Sequence, residues 1–301
     1  MSHENSSVKS IIFALSANLG IAITKTVAAV ITGSGAMLAE SIHSFADCGN
    51  QGLLFLGLKA SKKDPTPDHP LGFGKAIFFW SFMVALILFS MGGMFSIYEG
   101  VHKLNSHEGL SNPYIAIVVL LFSALLEGAS LWGCIKQIKK INHGQSLWKW
   151  FKNSRQSELV VVFGEDVAAL MGLLFAVISV IMAMVTGNPI FDAIGSIGIG
   201  ALLVVISLFM AAKIKGLLIG QSVDQEVHDD ITKFLEDQDE IESVINLITL
   251  QLGAQIMVAV KAKMKPVETV DQLIQNINRC EVVMKKHNPQ IKWSFFEPDV
   301  E

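Results

Sequence analysis

Apolar residues run along the chain in six long blocks, at 9–32, 34–58, 77–99, 112–135, 157–185 and 190–214. Each is close to the roughly 20 residues with which an α-helix crosses about 30 Å of hydrocarbon. TGSGAM joins the first two blocks and TGNP joins the last two, both tight-turn sequences. Longer polar stretches separate the others. Beyond residue 220 the blocks shorten and the period changes. DQEVHDDITKFLEDQ sets Val227, Ile231 and Leu235 at helical spacing. IESVINLITLQLG and QIMVAVKAKMK alternate, with Val244, Ile248 and Leu250 in the first and Ile256, Val258 and Val260 in the second, across a turn at Gly253. VETVDQLIQNINRCEVVMKKH returns to the helical period and stops before Pro289, and QIKWSFFE reads as a last strand. The pattern predicts a six-span α-helical membrane domain over residues 1–220. A small cytoplasmic α+β domain follows over 221–301, in the order α-β-β-α-β, ferredoxin-like, with two helices on one face of its sheet.

Composition agrees with a membrane chain. Of 301 residues 51% are hydrophobic and 17% charged, where a soluble domain carries about 25% charge. A net charge of −4 removes nucleic acid as the main partner. Cys48, Cys134 and Cys280 lie far apart with no CxxC pair, which excludes a disulfide framework and a cysteine zinc site. MSHENSSVKS has no basic region of a cleaved signal, so the first block is expected to stay in the mature protein. Lysines and Arg155 crowd the stretches after the second, fourth and sixth blocks, while the alternate loops carry only Lys103. The positive-inside rule then sets both termini in the cytoplasm. Trp148 and Trp150, beside lysines, suit an interfacial anchor.

Against that background the ionisable residues inside the spans stand out: Lys25, Glu40, His43, Asp47, Glu127, Glu165, Asp166 and Asp192. Facing lipid, each costs from a few to about ten or more kcal/mol, so each is expected to face the bundle interior. His43 and Asp47 are four apart, on one face of a helix, and an imidazole with a carboxylate at that spacing grips a divalent cation. Asn50, three residues further, offers an amide oxygen. The bland alternative is a His–Asp hydrogen bond that only satisfies both groups. On the fifth block Asp166 is expected to face the second, with Glu165 about 100° round the helix as a lesser ligand or proton carrier. Glu127, near Gly128 and Ser130, reads as a structural polar contact. Asp192 caps its helix or sits in the ion path, and Glu40 is a further path candidate. Lys25 either snorkels or neutralises a buried carboxylate. His102, His107, His143, His228 and His287 lack ligand spacing and read as solvated.

These residues sit in GSGAMLAESIHSFADCGNQ on the second block, ED followed by AA and Gly172 on the fifth, and FDAIGSI on the sixth. With DHPLGFGKA before the third block, the LLIGQSVD exit and the α-β-β-α-β tail, they resemble the cation diffusion facilitator family over nearly the whole chain. The resemblance implies proton-coupled efflux of a divalent cation by alternating access, with no resident cofactor. It also implies a homodimer through the C-terminal and transmembrane domains, in the bacterial cytoplasmic membrane. The transport ligands fall on His43, Asp47 and Asp166, and the fourth falls on Val162, which has no donor. Glu165, Asn50 or water then replaces it. Zinc is the first expectation, and iron(II), cobalt(II) and manganese(II) fit the same donors. His43, with an unperturbed pKa of about 6.5, is the expected proton exchanger. Phe73 stands where many members carry a second loop histidine, and the tail lacks the family's regulatory histidines. The pattern lies nearer the HxxxD…ED branch of organellar and bacterial members. The rival readings are a membrane-embedded metalloenzyme that activates water on the same His/Asp/Asp site, a metal-sensing membrane receptor and a passive channel. The enzyme lacks HExxH.

Overall fold

The computed structural model describes residues 18–106, 110–141 and 144–300. The helices are α1 (Asn18–Thr32), α2 (Gly35–Ser61), α3 (Ala76–Ile87), α4 (Phe95–Ser106), α5 (Pro113–Ile141), α6 (Leu147–Asn153), α7 (Ser157–Thr186) and α8 (Ile190–Ile219). A π-helical segment, Leu88–Met94, joins α3 to α4 without a break. Then come α9 (Gln225–Glu236), β1 (Ile241–Leu252), β2 (Gln255–Met264), α10 (Val270–His287) and β3 (Ile291–Pro298). One compact unit comprises the described parts of Met1–Leu56, Trp80–Trp150 and Glu158–Ile214; the other comprises those of Gly57–Phe79, Phe151–Ser157 and Lys215–Glu301.

Among the described residues four helices, lying mostly in the first unit, are long and apolar enough to cross a membrane: Ala76–Asn105, Pro113–Lys140, Ser157–Thr186 and Ile190–Ile219. The helix α2 has the length, but its Glu40, His43, Asp47 and Asn50 dilute the apolar run. The described part of the first block is a shorter apolar helix, and residues 1–17, with the MSHENSSVKS stretch expected not to be a cleaved signal, lie outside the described residues. Both predicted tight turns are present. Gly33 and Gly187 adopt φ of 66° and 67°, where a side chain would strain the backbone. The α3–α4 span lies against α8 through small residues. A Cβ on Gly100 would stand 2.7 Å from the Ala193 carbonyl oxygen, so only glycine permits that approach.

The stretch after the fourth block is not all loop, since α6 interrupts it. The tryptophans on α6 separate. Trp148 is exposed and stacks on Phe209, whereas Trp150 is buried edge-on against Phe163, with ring centroids 6.1 Å apart. Trp150 therefore packs the helices together instead of anchoring at an interface.

In the second unit β1 and β2 pair antiparallel, β2 and β3 pair parallel, and the sheet order is β1-β2-β3. The predicted element order is present, as a three-stranded sheet. Ile231 and Leu235 of α9, Cys280 and Met284 of α10, and Ile256, Val258, Val260 and Ala262 of β2 form its core. Thr269 starts α10 by accepting a hydrogen bond from the Gln272 amide, 3.2 Å away. The strand β1 departs from simple alternation. Its register shifts between Val244 and Asn246, so Leu247 turns inward and Ile248 is left 55% exposed. A bulge inserts one residue, and one residue inverts the faces of everything after it.

Candidate functional site

The helix α2 begins under the control of α8. Asp192 accepts hydrogen bonds from the Ser34 hydroxyl at 2.5 Å and the Gly35 amide at 2.6 Å, and Lys103 Nζ lies 3.3 Å from the same carboxylate. A carboxylate at a helix N-terminus satisfies free amides and meets the positive end of the dipole. Asp192 thus caps α2, a different helix from its own.

Along α2, Glu40, Ser44, Asp47 and Gln51 follow i, i+4, i+7, i+11 and share a face. Ser44, Asp47 and Gln51 line a cavity of about 90 Å³. The helix α7 contributes Val162, Glu165, Asp166 and Ala169, and α5 contributes Glu127 and Ser130. Glu165 and Asp166 both reach this cavity, because it lies between two helices. Glu165 turns toward α2, where Asn50 Nδ2 donates to it at 2.5 Å. Asp166 turns toward α5, where the Ser130 hydroxyl lies 3.2 and 3.3 Å from its two oxygens. The sequence expectation had Asp166 facing α2; the 100° step between neighbours gives that contact to Glu165. Val162, one turn before Asp166, also lines the cavity, so the donor missing there is missing from the site itself.

His43 is buried to 1% exposure. Its Nε2 lies 3.6 Å from Asp47 Oδ2, too long for a hydrogen bond, and neither ring nitrogen has a hydrogen-bond partner. Asp47 Oδ1 and Asn50 Oδ1 are unpartnered too. Buried polar atoms are nearly always paired, so unpaired donors and acceptors on three neighbouring side chains mark a place suited to a polar ligand. His43 does not line the cavity. It lies next to the π-helical segment, where a Cβ on Gly92 would stand 3.8 Å from Nδ1. Among the described residues no three His, Cys, Asp or Glu side chains converge closely enough to hold a metal ion as they stand.

Lys25 does not snorkel. It is fully buried, with Nζ 3.3 Å from Glu40 Oε2 and 2.7 Å from Ser44 Oγ. Glu40 in turn presses on α7 at Gly172, where any Cβ would strike its Oε1. The levels follow the helix repeats. Asn18 and Ile21 of α1 line the cavity, and Lys25 lies one turn beyond; Ala169 of α7 lines it, and Gly172 lies one turn beyond. The Lys25–Glu40 pair therefore stands as a layer next to the cavity.

The remaining histidines have ordinary partners. His287 Nε2 lies 2.8 Å from Asp230, His228 Nε2 lies 3.2 Å from the Leu247 carbonyl, and His102 stacks on Tyr98. His107 and His143 lie outside the described residues. In the DHPLGFGKA loop His69 packs on Phe73 with ring centroids 4.4 Å apart. All three cysteines are free thiols.

Sequence reading assigned Glu127 a structural contact, treated Ser130 as a small packing residue beside it and gave Ser44 no role. Their i, i+3 and i, i+4 relations to one another and to Glu40 were the available signal.

Comparison with known proteins gives a consistent family. The human mitochondrial proton-coupled zinc antiporter SLC30A9 is 32% identical over 231 residues, which are 76% of this chain and 41% of the relative. Metal tolerance protein C4 of Arabidopsis thaliana is 35% identical over 222 residues, 73% of this chain and 49% of the relative. The chain thus spans under half the length of these two. Magnetosome protein MamB of Magnetospirillum gryphiswaldense is 26% identical over 257 residues, 84% of this chain and 80% of the relative. The family model described as the cation efflux transmembrane domain matches residues 11–219, which contain every helix that lines the cavity. The chain belongs to the cation efflux family, the cation diffusion facilitators.

Proposed function

We propose that this chain exports divalent metal cations from the cytoplasm in exchange for protons, by alternating access. The observation that carries the reading is a cavity lined by carboxylates from three apolar-block helices, beside a buried imidazole with no hydrogen-bond partner. A cation is the ligand such a cavity suits, since several carboxylates in a low-dielectric space repel one another unless neutralised. Metal binding needs deprotonated ligands, so metal and protons compete for the same groups and exchange follows.

The proposed ligands are His43, Asp47 and Asp166, with Glu165 and Asn50 in supporting roles. Closure of the 3.6 Å His43–Asp47 gap around the ion completes the pair on α2. The path continues past Glu40 toward Asp192, so the outward-open state requires the Lys25–Glu40 layer to part. Zinc is the first candidate, supported by the antiporter name of the human relative, and iron(II), cobalt(II) and manganese(II) suit an oxygen-rich donor set. The relatives named as antiporters weigh against the membrane metalloenzyme. We place six spans and the transport domain in 1–220, a ferredoxin-like cytoplasmic domain in 221–301, both termini in the cytoplasm, and the protein in a bacterial inner membrane as a homodimer.

The test is metal uptake into proteoliposomes under an imposed pH gradient, with zinc, iron(II), cobalt(II) and manganese(II) in parallel. Wild type is expected to accumulate at least one of them only when the gradient is present, and His43→Ala to lose that uptake. Gradient-driven uptake by His43→Ala at the wild-type rate overturns the assignment.

A further inference from the structure

The geometry points to Glu127 of α5 as the ligand that replaces Val162 in the transport site, and as the residue that makes the site oxygen-rich. This inference rests on the transport-site reading above.

Of the four long apolar helices among the described residues, α5 is the least buried within the chain. Phe122, Leu125 and Trp132 stand 57%, 73% and 69% exposed. One stripe faces inward instead: Ala116, Leu120, Ser123, Cys134 and Ile138 are buried, at the i, i+4, i+7 spacing of one helix face. Glu127 falls on that stripe, four residues after Ser123 and seven before Cys134. It also lies midway along the span Pro113–Lys140, where a carboxylate against lipid is most costly. Its inward neighbour is the cavity that it lines together with Asp47 and Asp166.

A second contact fixes which way this face points. Ser130, three residues on and on the same face, lies within 3.3 Å of both oxygens of Asp166. The carboxylate one turn along from that contact belongs to Glu127. The other candidates are weaker. Glu165 already accepts the Asn50 amide at 2.5 Å, and Val162 has no donor atom. The ligand demand reaches the cavity through Asp47, which lines it with Oδ1 unpartnered, and is extended by His43 behind it, buried to 1% exposure with both ring nitrogens unpartnered and Nε2 3.6 Å from Asp47 Oδ2.

With Glu127 the donor set becomes one imidazole and three carboxylates. Such a set suits harder divalent ions, manganese(II) and iron(II), better than a set with two imidazoles does. Glu127 then sets specificity as well as completing the site.

The experiment titrates the purified full-length chain with manganese(II), followed by electron paramagnetic resonance, and with cobalt(II), followed by visible absorption. Loss of an outer-shell partner alone costs a metal site about 10–100-fold in affinity. Glu127→Gln is therefore expected to weaken manganese(II) binding by about tenfold or more, with a smaller loss for zinc. Val162→Asp in the Glu127→Gln background is expected to recover most of it, which a purely structural role for Glu127 does not predict. Where Glu127→Gln does not fold, Glu127→Asp keeps the charge and is expected to shift the cobalt(II) spectrum; an unchanged spectrum overturns the proposal. Wild-type manganese(II) affinity in folded Glu127→Gln overturns it as well, provided Asp47→Asn loses binding. Unchanged binding in Asp47→Asn instead removes the transport-site reading on which the proposal rests.

Discussion

The two units of this chain differ in how many charged and polar side chains they bury beside their apolar ones. The core of the tail is apolar throughout, with Ile231, Leu235, Val258 and Ala262 fully buried between two helices and a sheet. The membrane unit buries Lys25, Glu40, His43, Asn50, Glu165, Asp166 and Asp192. Water surrounds a soluble domain, so its core gains by collecting apolar surface. A bundle in lipid gains nothing comparable by burying leucine, and its interior is where polar groups avoid hydrocarbon. Stability and function are therefore written in different residues in the two units. Within the membrane unit a further division holds. Lys25–Glu40 and Asp192–Ser34–Gly35 tie helices together through an ion pair and a helix cap, although Glu40 Oε1 stays unpartnered, whereas neither ring nitrogen of His43 has a hydrogen-bond partner and Asp47 and Asn50 each keep an unpaired oxygen.

The sharpest way to break this division is to remove one member of the Lys25–Glu40 ion pair. Lys25→Met leaves Glu40 buried without its counter-charge, which costs about 3–5 kcal/mol where such pairs have been broken. The double variant Lys25→Met, Glu40→Gln is expected to recover most of that loss. Thermal unfolding of the purified chain in detergent checks both. A Lys25→Met protein as stable as wild type would mean that the pair is not a structural tie, and the contrast with His43 and Asp47 would fail.

The matching change in the tail is Leu235→Ala. Leu235 is wholly buried under the sheet, and its truncation is expected to cost about 2–5 kcal/mol through lost burial and the cavity left behind. Transport per folded molecule is expected to stay near wild type, because the residue touches only the tail core. The measurement is gradient-driven uptake normalised to folded protein. A loss of uptake at full folding would show that the tail's packing sets transport, which would erase the separation of roles.

How much of this was legible follows from where each signal lies. The helices on apolar blocks and the two glycine turns are local features, and local periodicity reveals them. That His43 and Asp47 lie one turn apart on α2 follows from helix spacing, whereas Val162 entered only through the family resemblance, and that Asp47 lines the cavity while His43 does not needed the third dimension. Asp192 capping α2 joins residues 157 positions apart, and nothing near Asp192 in sequence marks Ser34 or Gly35 as its partners. The π-helical segment beside His43 carries Gly92 and Gly93, which lie against α8, a contact that no local period marks. The inverted face of β1 has the same character, since one inserted residue is invisible to a count of alternating positions. Glu127 was readable in principle: its stripe with Ala116, Leu120, Ser123 and Cys134 is in the sequence, but α5 is apolar on every side and periodicity alone does not say which face is inward.

The smallest effect concerns Cys280, which tests how closed the tail core is. Burial pushes its thiol up to about 11, and the nearby Glu240 carboxylate adds to the shift. Only the thiolate attacks a maleimide or an iodoacetamide, and an ordinary thiol near 8.5 is partly ionised at pH 8. At that pH Cys280 holds on the order of one thiolate in a thousand, and its side chain is wholly buried besides. In a variant carrying Cys48→Ser and Cys134→Ser, alkylation of the folded chain at pH 8 is therefore expected to be slower than that of the unfolded chain by at least two to three orders of magnitude. Raising the pH toward 11 should accelerate it, since the thiolate fraction rises, while the burial that remains keeps the rate below the unfolded limit. Alkylation of folded protein at the unfolded rate would mean that the core under β2 opens freely, and the tail would lose its standing as the rigid, apolar counterpart of the membrane unit.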